Sequence, residues 1–222
     1  MKQPKLFLCV LLIASYLSSF AQFNNFYLGP EGGPGLCFLW GNGANKRQEE
    51  PAVSGYAAYT FQYNFTQIIG LRTDVAYERA GGQYTLGSTS QNLRSDNMTI
   101  PVLVRATFGK KINYFINAGP YFGVLIREVD KDKDSFSGMT TVTDVTSVYK
   151  RFDTGITAGI GIAVPIGNRM SLSFEARNNT GLYNINNAAG NNSIIRNNTT
   201  NFIFGFRYEF VTRKAKAKEK KA

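Results

Sequence analysis

The chain is predicted to fold as an all-β protein, an eight-stranded antiparallel up-and-down transmembrane β-barrel. Three observations carry this prediction. The first residues read as an export leader. Beyond them, apolar and polar residues alternate with a period of two in eight segments. The connections between those segments alternate between short turns and long polar stretches.

In the leader, Lys2 and Lys5 precede an uncharged apolar run from Leu6 to Leu17. Ser18, Ser19, Phe20, Ala21 and Gln22 follow, and small residues at Ser19 and Ala21 suit a signal peptidase. Residues 1–21 are therefore expected to be a signal peptide, cut between Ala21 and Gln22. The apolar run is too short for a spanning helix, which needs about 20 residues. Cys9 lies inside the run with no lipobox before it, so no lipid anchor is expected. Removing 21 of the 222 residues leaves 201 with a single cysteine, Cys37. An exported chain without an internal disulfide must be stabilised in another way, and a closed β ladder is one.

The eight segments cover about 26–40, 53–64, 67–79, 97–108, 112–127, 150–165, 169–179 and 200–211. The first is the least regular, because Pro30, Gly32, Gly33, Pro34 and Gly35 interrupt it. The last is the clearest: Phe202, Phe204, Phe206, Tyr208 and Phe210 share one face, with Ile203, Gly205, Arg207, Glu209 and Val211 on the other. Met98, Ile100, Val102, Val104, Ala106 and Phe108 repeat the pattern, as do Phe152, Ile156, Ile160, Ile162 and Val164. Short turns fall near 64–67, 109–113 and 166–169, and long polar stretches at 41–52, 80–96, 128–149 and 180–199. Short periplasmic turns alternating with long external loops mark bacterial outer-membrane barrels. On this reading residues 22–212 form the barrel, and 213–222 a cationic tail on the periplasmic side.

A soluble barrel would alternate as well, and bulk decides between them. The apolar faces carry rows of Phe, Tyr, Ile and Val, whereas the polar faces carry Gly119, Gly123, Gly155, Gly159, Gly161, Ala163 and Gly205. An eight-stranded barrel is only wide enough inside for side chains to fill it. Small residues and paired charges fit there, and rows of aromatics do not. The bulky faces therefore point outward, to outer-membrane lipid.

The net charge of +10 raises nucleic acid as a partner. Its distribution argues against one. Arg213, Lys214, Lys216, Lys218, Lys220 and Lys221 stand against Glu219 in the tail, and Lys2 and Lys5 belong to the leader. The body keeps a net charge of only +3, without a basic patch interleaved with aromatics.

Two stretches carry a family resemblance. One is Thr99-Ile100-Pro101-Val102-Leu103-Val104-Arg105, and the other runs from Tyr114 through Ala118-Gly119-Pro120-Tyr121 to Gly123. With the terminal aromatic strand, they resemble the PorT-like outer-membrane β-barrel family. That resemblance implies eight strands and outer-membrane residence; the family's founding member is tied to a secretion apparatus, while most relatives have no assigned activity. The last strand also looks like the signal read by the barrel-assembly machinery, a glycine followed by aromatics. Gly205, Tyr208 and Phe210 match it, while Ile203 stands where a polar residue is expected.

The chain contains no histidine. Nucleophile pairs of Ser or Cys with His, and histidine zinc sites, are thereby excluded. No cofactor is expected. Strand phase places Glu31, Asp74, Glu78, Asp153, Glu175 and Glu209 in the lumen, with Arg72, Arg105, Arg127, Arg177 and Arg207. Charges away from water must be paired, and arginine suits bidentate pairing. These eleven residues are therefore expected to form a structural salt-bridge network that plugs the barrel. Asp130, Asp132 and Asp134 imitate half of a calcium loop. Ser135 stands where that motif needs Gly and Thr141 where it needs Glu, so the stretch reads as a solvated acidic loop. Cys37 reads as packing.

These readings favour a non-enzymatic barrel, a structural or assembly- and secretion-associated component. Its tail or loops would contact a periplasmic or secretion-system protein. A narrow channel for small solutes stays open as the alternative. An enzyme using paired carboxylates finds no supporting spacing.

Overall fold

The computed structural model describes residues 25–42, 49–86, 89–134, 140–187 and 193–211. The leader with its cleavage site at Ala21 and Gln22, and the tail 213–222, lie outside the described residues. The strands are β1 (Asn25–Trp40), β2 (Glu49–Glu50), β3 (Ala52–Asn64), β4 (Ile69–Leu86), β5 (Thr89–Phe108), β6 (Asn113–Asp134), β7 (Thr140–Asp144), β8 (Phe152–Pro165), β9 (Met170–Gly181) and β10 (Arg196–Val211). A 3-10 turn, Thr146–Val148, follows β7.

Eight of these close a barrel, in the order β1, β3, β4, β5, β6, β8, β9, β10. All the pairings are antiparallel, and β1 meets β10 to complete the ring, with Leu28 opposite Tyr208 and Glu31 opposite Gly205. Closure is what the lipid demands, since hydrocarbon offers no partner for an open edge. Asn25, Asn64 and Val211 lie together at one end with the three short turns.

The apolar faces do point outward. Val104, Ile116, Ile126, Ile156, Ile160 and Phe204 are among the most exposed large hydrophobic side chains of the described residues. Ring pairs stand at both ends of this band. Tyr63 and Phe65 pack edge to face near the turns, and Phe152 with Tyr183 at the other end. Aromatic girdles of this kind flank the apolar band of outer-membrane barrels. Inside, the small residues make room for large ones. A Cβ at Gly155 would press on the Tyr121 ring and one at Gly161 on the Phe115 ring.

Two of the long stretches differ from the expectation. Residues 80–96 and 128–149 were expected to be loops, yet they are largely strand. β4 runs on to Leu86 and β5 starts at Thr89, paired from Leu86–Thr89 downward. β6 runs to Asp134 and takes β7 as a further partner. The ladder thus continues above the lipid as a projecting sheet. Its outer face has no lipid to meet, so the apolar alternation that reveals the lower strands is missing there.

The bridge between the two regimes is a β-bulge. Asp96 pairs with Arg127 but Asn97 pairs with Leu125, so Ile126 is the extra residue. It shifts the phase of everything beyond it. Arg127, expected in the lumen, instead points outward and pairs with Asp144 at 3.4 Å, both side chains more than half exposed. Glu128 turns inward opposite Ser95 and is 1% exposed, with Oε1 lacking a hydrogen-bond partner among the described residues. Burial first, and the charge of Asp130 second, push its carboxyl up to about 8.

This has a sign that can be tested. A carboxyl whose folded pKa is raised favours the protonated folded state. Its contribution is fully present below the ordinary value of 4.5 and is lost as pH rises through about 8. Amide protection in β5–β7 above Ile126, corrected for chemical exchange, is expected to fall between about pH 5 and pH 8. Glu128→Gln should flatten that profile. Identical profiles for the two proteins would show that Glu128 does not titrate in this range.

Candidate functional site

The lumen holds most of the chain's buried charge. Following β4, β9 and β10 from the external mouth to the turn end, it is filled in four levels.

The uppermost is apolar. Leu39, Leu93, Leu125, Tyr149, Ile185 and Ile195 form a buried cluster, with Val145 packed against it. The segments before β8 and after β9 thus fold back over the mouth, where Lys150 N donates to Ile185 O and Ile185 N to Ile195 O. Below this cap lie two carboxylates with neutral donors. Glu78 accepts from Asn179 Nδ2 at 2.9 Å and Asn201 Nδ2 at 2.6 Å, and Asp153 from Tyr121 OH at 3.1 Å and Asn197 Nδ2 at 3.0 Å. Only about 10 Å³ of space remains between them.

The third level is an ion-pair lattice. Arg72 Nε donates to Asp74 Oδ1 at 2.9 Å and Nη1 to Glu175 Oε2 at 3.0 Å, while Nη2 reaches Glu31 Oε2. Arg177 returns the pattern, with Nε on Glu175 Oε1 at 2.8 Å and Nη1 on Asp74 Oδ2 at 2.6 Å. Tyr56 OH accepts from Arg177 Nη1 at 2.9 Å and donates to Asp74 Oδ2 at 3.1 Å. β4 and β9 are fourth neighbours either way round the ring. The bond from Arg72 to Glu175 therefore crosses the full width of the lumen. Both arginines are essentially without exposure.

The fourth level faces the turn end. Arg105 Nε donates to Asn117 Oδ1 at 2.8 Å, and Arg105 Nη1 and Arg207 Nη1 both donate to Gln62 Oε1. Beneath them a cavity of about 380 Å³ opens between the turns. Glu209 stands half-buried at its rim and accepts from Asn25.

Nine of the eleven residues assigned to the lumen network are buried in it: Glu31, Arg72, Asp74, Glu78, Arg105, Asp153, Glu175, Arg177 and Arg207. Glu209 reaches only the rim, and Arg127 is outside for the reason given by the bulge. Sequence reasoning passed over the neutral partners Tyr56, Gln62, Asn117, Asn179 and Asn201. All lie on the inward phase of their strands, which was the available signal. Cys37 is buried as expected, its thiol 3.4 Å from Ala52 O. Among the described residues no group of three acidic or cysteine side chains could hold a metal ion.

A closed eight-stranded barrel with an apolar exterior, aromatic girdles and short turns at one end defines a bacterial outer-membrane protein. The chain belongs to the outer membrane protein beta-barrel domain family, whose model matches residues 20–187. The fold is similar to that of OprG from Pseudomonas aeruginosa, at 9% identity and a TM-score of 0.52, over 86% of this chain and 97% of that one. Neisserial surface protein A is similar at 13% identity and a TM-score of 0.46, over 84% and 97%. No curated protein matches the chain.

Proposed function

We propose that the protein is a non-enzymatic structural or assembly- and secretion-associated component of the outer membrane, of the PorT-like kind, whose lumen does not conduct. The observation that carries this reading is the Arg72–Glu175 bridge between opposite walls, beneath an apolar cap. A solute would have to break a lattice of desolvated ion pairs to pass. The absence of histidine from the whole chain supports a role without histidine-dependent acid–base or nucleophilic chemistry. Residues 1–21 act as the signal peptide, and Gly205, Tyr208 and Phe210 are read by the barrel-assembly machinery. Gly205 has a second duty, since a Cβ there would meet Glu31. Partner proteins would bind the projecting sheet or the cationic tail 213–222.

Single-channel recording of the refolded barrel in planar bilayers tests the reading. A folded, heat-modifiable protein with a silent trace is expected. Stable ion-selective steps would instead favour the narrow channel for small solutes.

A further inference from the structure

The lattice leaves two guanidinium groups over on its periplasmic side. Arg105 is 1% exposed and Arg207 is 4% exposed. Their Nη1 atoms converge on one neutral oxygen, Gln62 Oε1, at 2.6 Å and 2.9 Å. For the Arg207 side chain this is the only hydrogen bond among the described residues, and no carboxylate there lies within 4.0 Å of it. Arg105 reaches Glu175 only at 3.7 Å. Among the described residues, Arg105 Nη2 and Arg207 Nε are buried without a hydrogen-bond partner. A buried cation without a counter-charge is costly, and two like charges sharing one amide oxygen are worse.

Both arginines line the 380 Å³ cavity at the turn end. Among the described residues its charged lining is Arg105, Arg169 and Arg207 against Glu209 alone, a net excess of positive charge. The Phe115 ring lies 3.7 Å from the Arg105 guanidinium carbon and 5.7 Å from that of Arg207, so both cations have an aromatic neighbour. Gly161 leaves the space that this ring needs. The lattice closes the cavity from above, and it opens at the turn end, the periplasmic side of such barrels. Anything that enters must come from the periplasm and leave the same way.

We propose that this vestibule binds a small oxyanion, a carboxylate or a phosphate, on Arg207 with Arg105 behind it. The planar fork of Arg207 still has most of its donors to offer, which suits two oxygens of one anion. The ligand supplies at close range the counter-charge that Glu175, one level above, gives only at 3.7 Å.

Isothermal titration of inorganic phosphate and of succinate, each into the full mature barrel in non-ionic detergent, tests the proposal. Saturable binding of at least one is expected, and Arg207→Gln should weaken it by about tenfold to a hundredfold, the worth of a charge-assisted hydrogen bond. Heat-modifiable migration confirms that the variant is folded. No saturable binding of either anion, or equal affinity in folded Arg207→Gln, would overturn the assignment. If that variant does not fold, bromide diffused into crystals of the unaltered protein reads the same site. An anomalous peak beside Arg207 supports it, and a vestibule without one overturns it.

Discussion

Replacing Arg72 by methionine is expected to lower the stability of the folded barrel by about 3–5 kcal/mol, the cost of breaking a buried ion pair from one side. The side chain serves three carboxylates at once, Glu31, Asp74 and Glu175, all nearly without exposure. Methionine fills most of the volume but leaves those carboxylates with Arg177 alone as their close arginine partner, and Arg105 more distant. It also removes the bond that ties β4 to β9 across the lumen. Urea unfolding in lipid vesicles, followed by the fluorescence of Trp40, measures the change. Arg94→Met is the matched control. Its pair with Asp96 at 3.5 Å is a third exposed and should be worth at most about 1 kcal/mol. Adding Glu31→Gln to Arg72→Met should recover part of the loss, because one orphaned charge is gone. If Arg72→Met unfolds within about 1 kcal/mol of the unaltered protein, the lattice is not what holds the walls together.

The parts of this lattice were legible in the sequence, but its arrangement was not. A period of two assigns each residue to one face, so Arg72, Asp74, Glu175 and Arg177 could be placed inside from phase alone. Phase holds only while the ladder is regular. The bulge at Ile126 breaks it, and Arg127 turned out on the other side. Nor does phase reveal partners. Arg72 and Glu175 meet because closure brings fourth-neighbour strands face to face, a property of the ring and of neither segment. The near balance of acids and arginines also concealed their distribution along the axis. Glu78 and Asp153 gather near the external mouth and Arg105 and Arg207 near the turns, so matched totals coexist with an unmatched pair of cations. The external strands were illegible for a simpler reason: without lipid outside, nothing required apolar residues at alternate positions.

The irregular first strand leads to the second large effect. Gly33→Ala is expected to cost the folded barrel about 3 kcal/mol or more, at the upper range of overpacking. β1 closes the ring against β10, but that pairing lapses at Gly29–Pro30 and again at Gly33–Pro34. The same residues stay in register with β3. Proline brings no N–H to a ladder, so these are the places where a closing strand can tolerate one. The glycines before them let β10 come very close. A Cβ on Gly33 would collide with the backbone carbonyl of Phe202, and one on Gly29 with that of Phe206. A flexible side chain could step aside, but a strand carbonyl can move only with its strand. The methyl therefore pries open the seam, and an open seam in hydrocarbon strands backbone groups without partners. Gly55, opposite Pro34 on the β3 side, has nothing within 4 Å of the same added atom. Gly55→Ala should stay within about 0.5 kcal/mol of the parent or gain slightly through the unfolded chain. Refolding all three proteins from urea into vesicles, and reading the heat-modifiable fraction on a gel, separates the cases. Equal folded fractions for Gly33→Ala and Gly55→Ala would mean that the seam yields, and that closeness of β1 to β10 is not what these glycines secure.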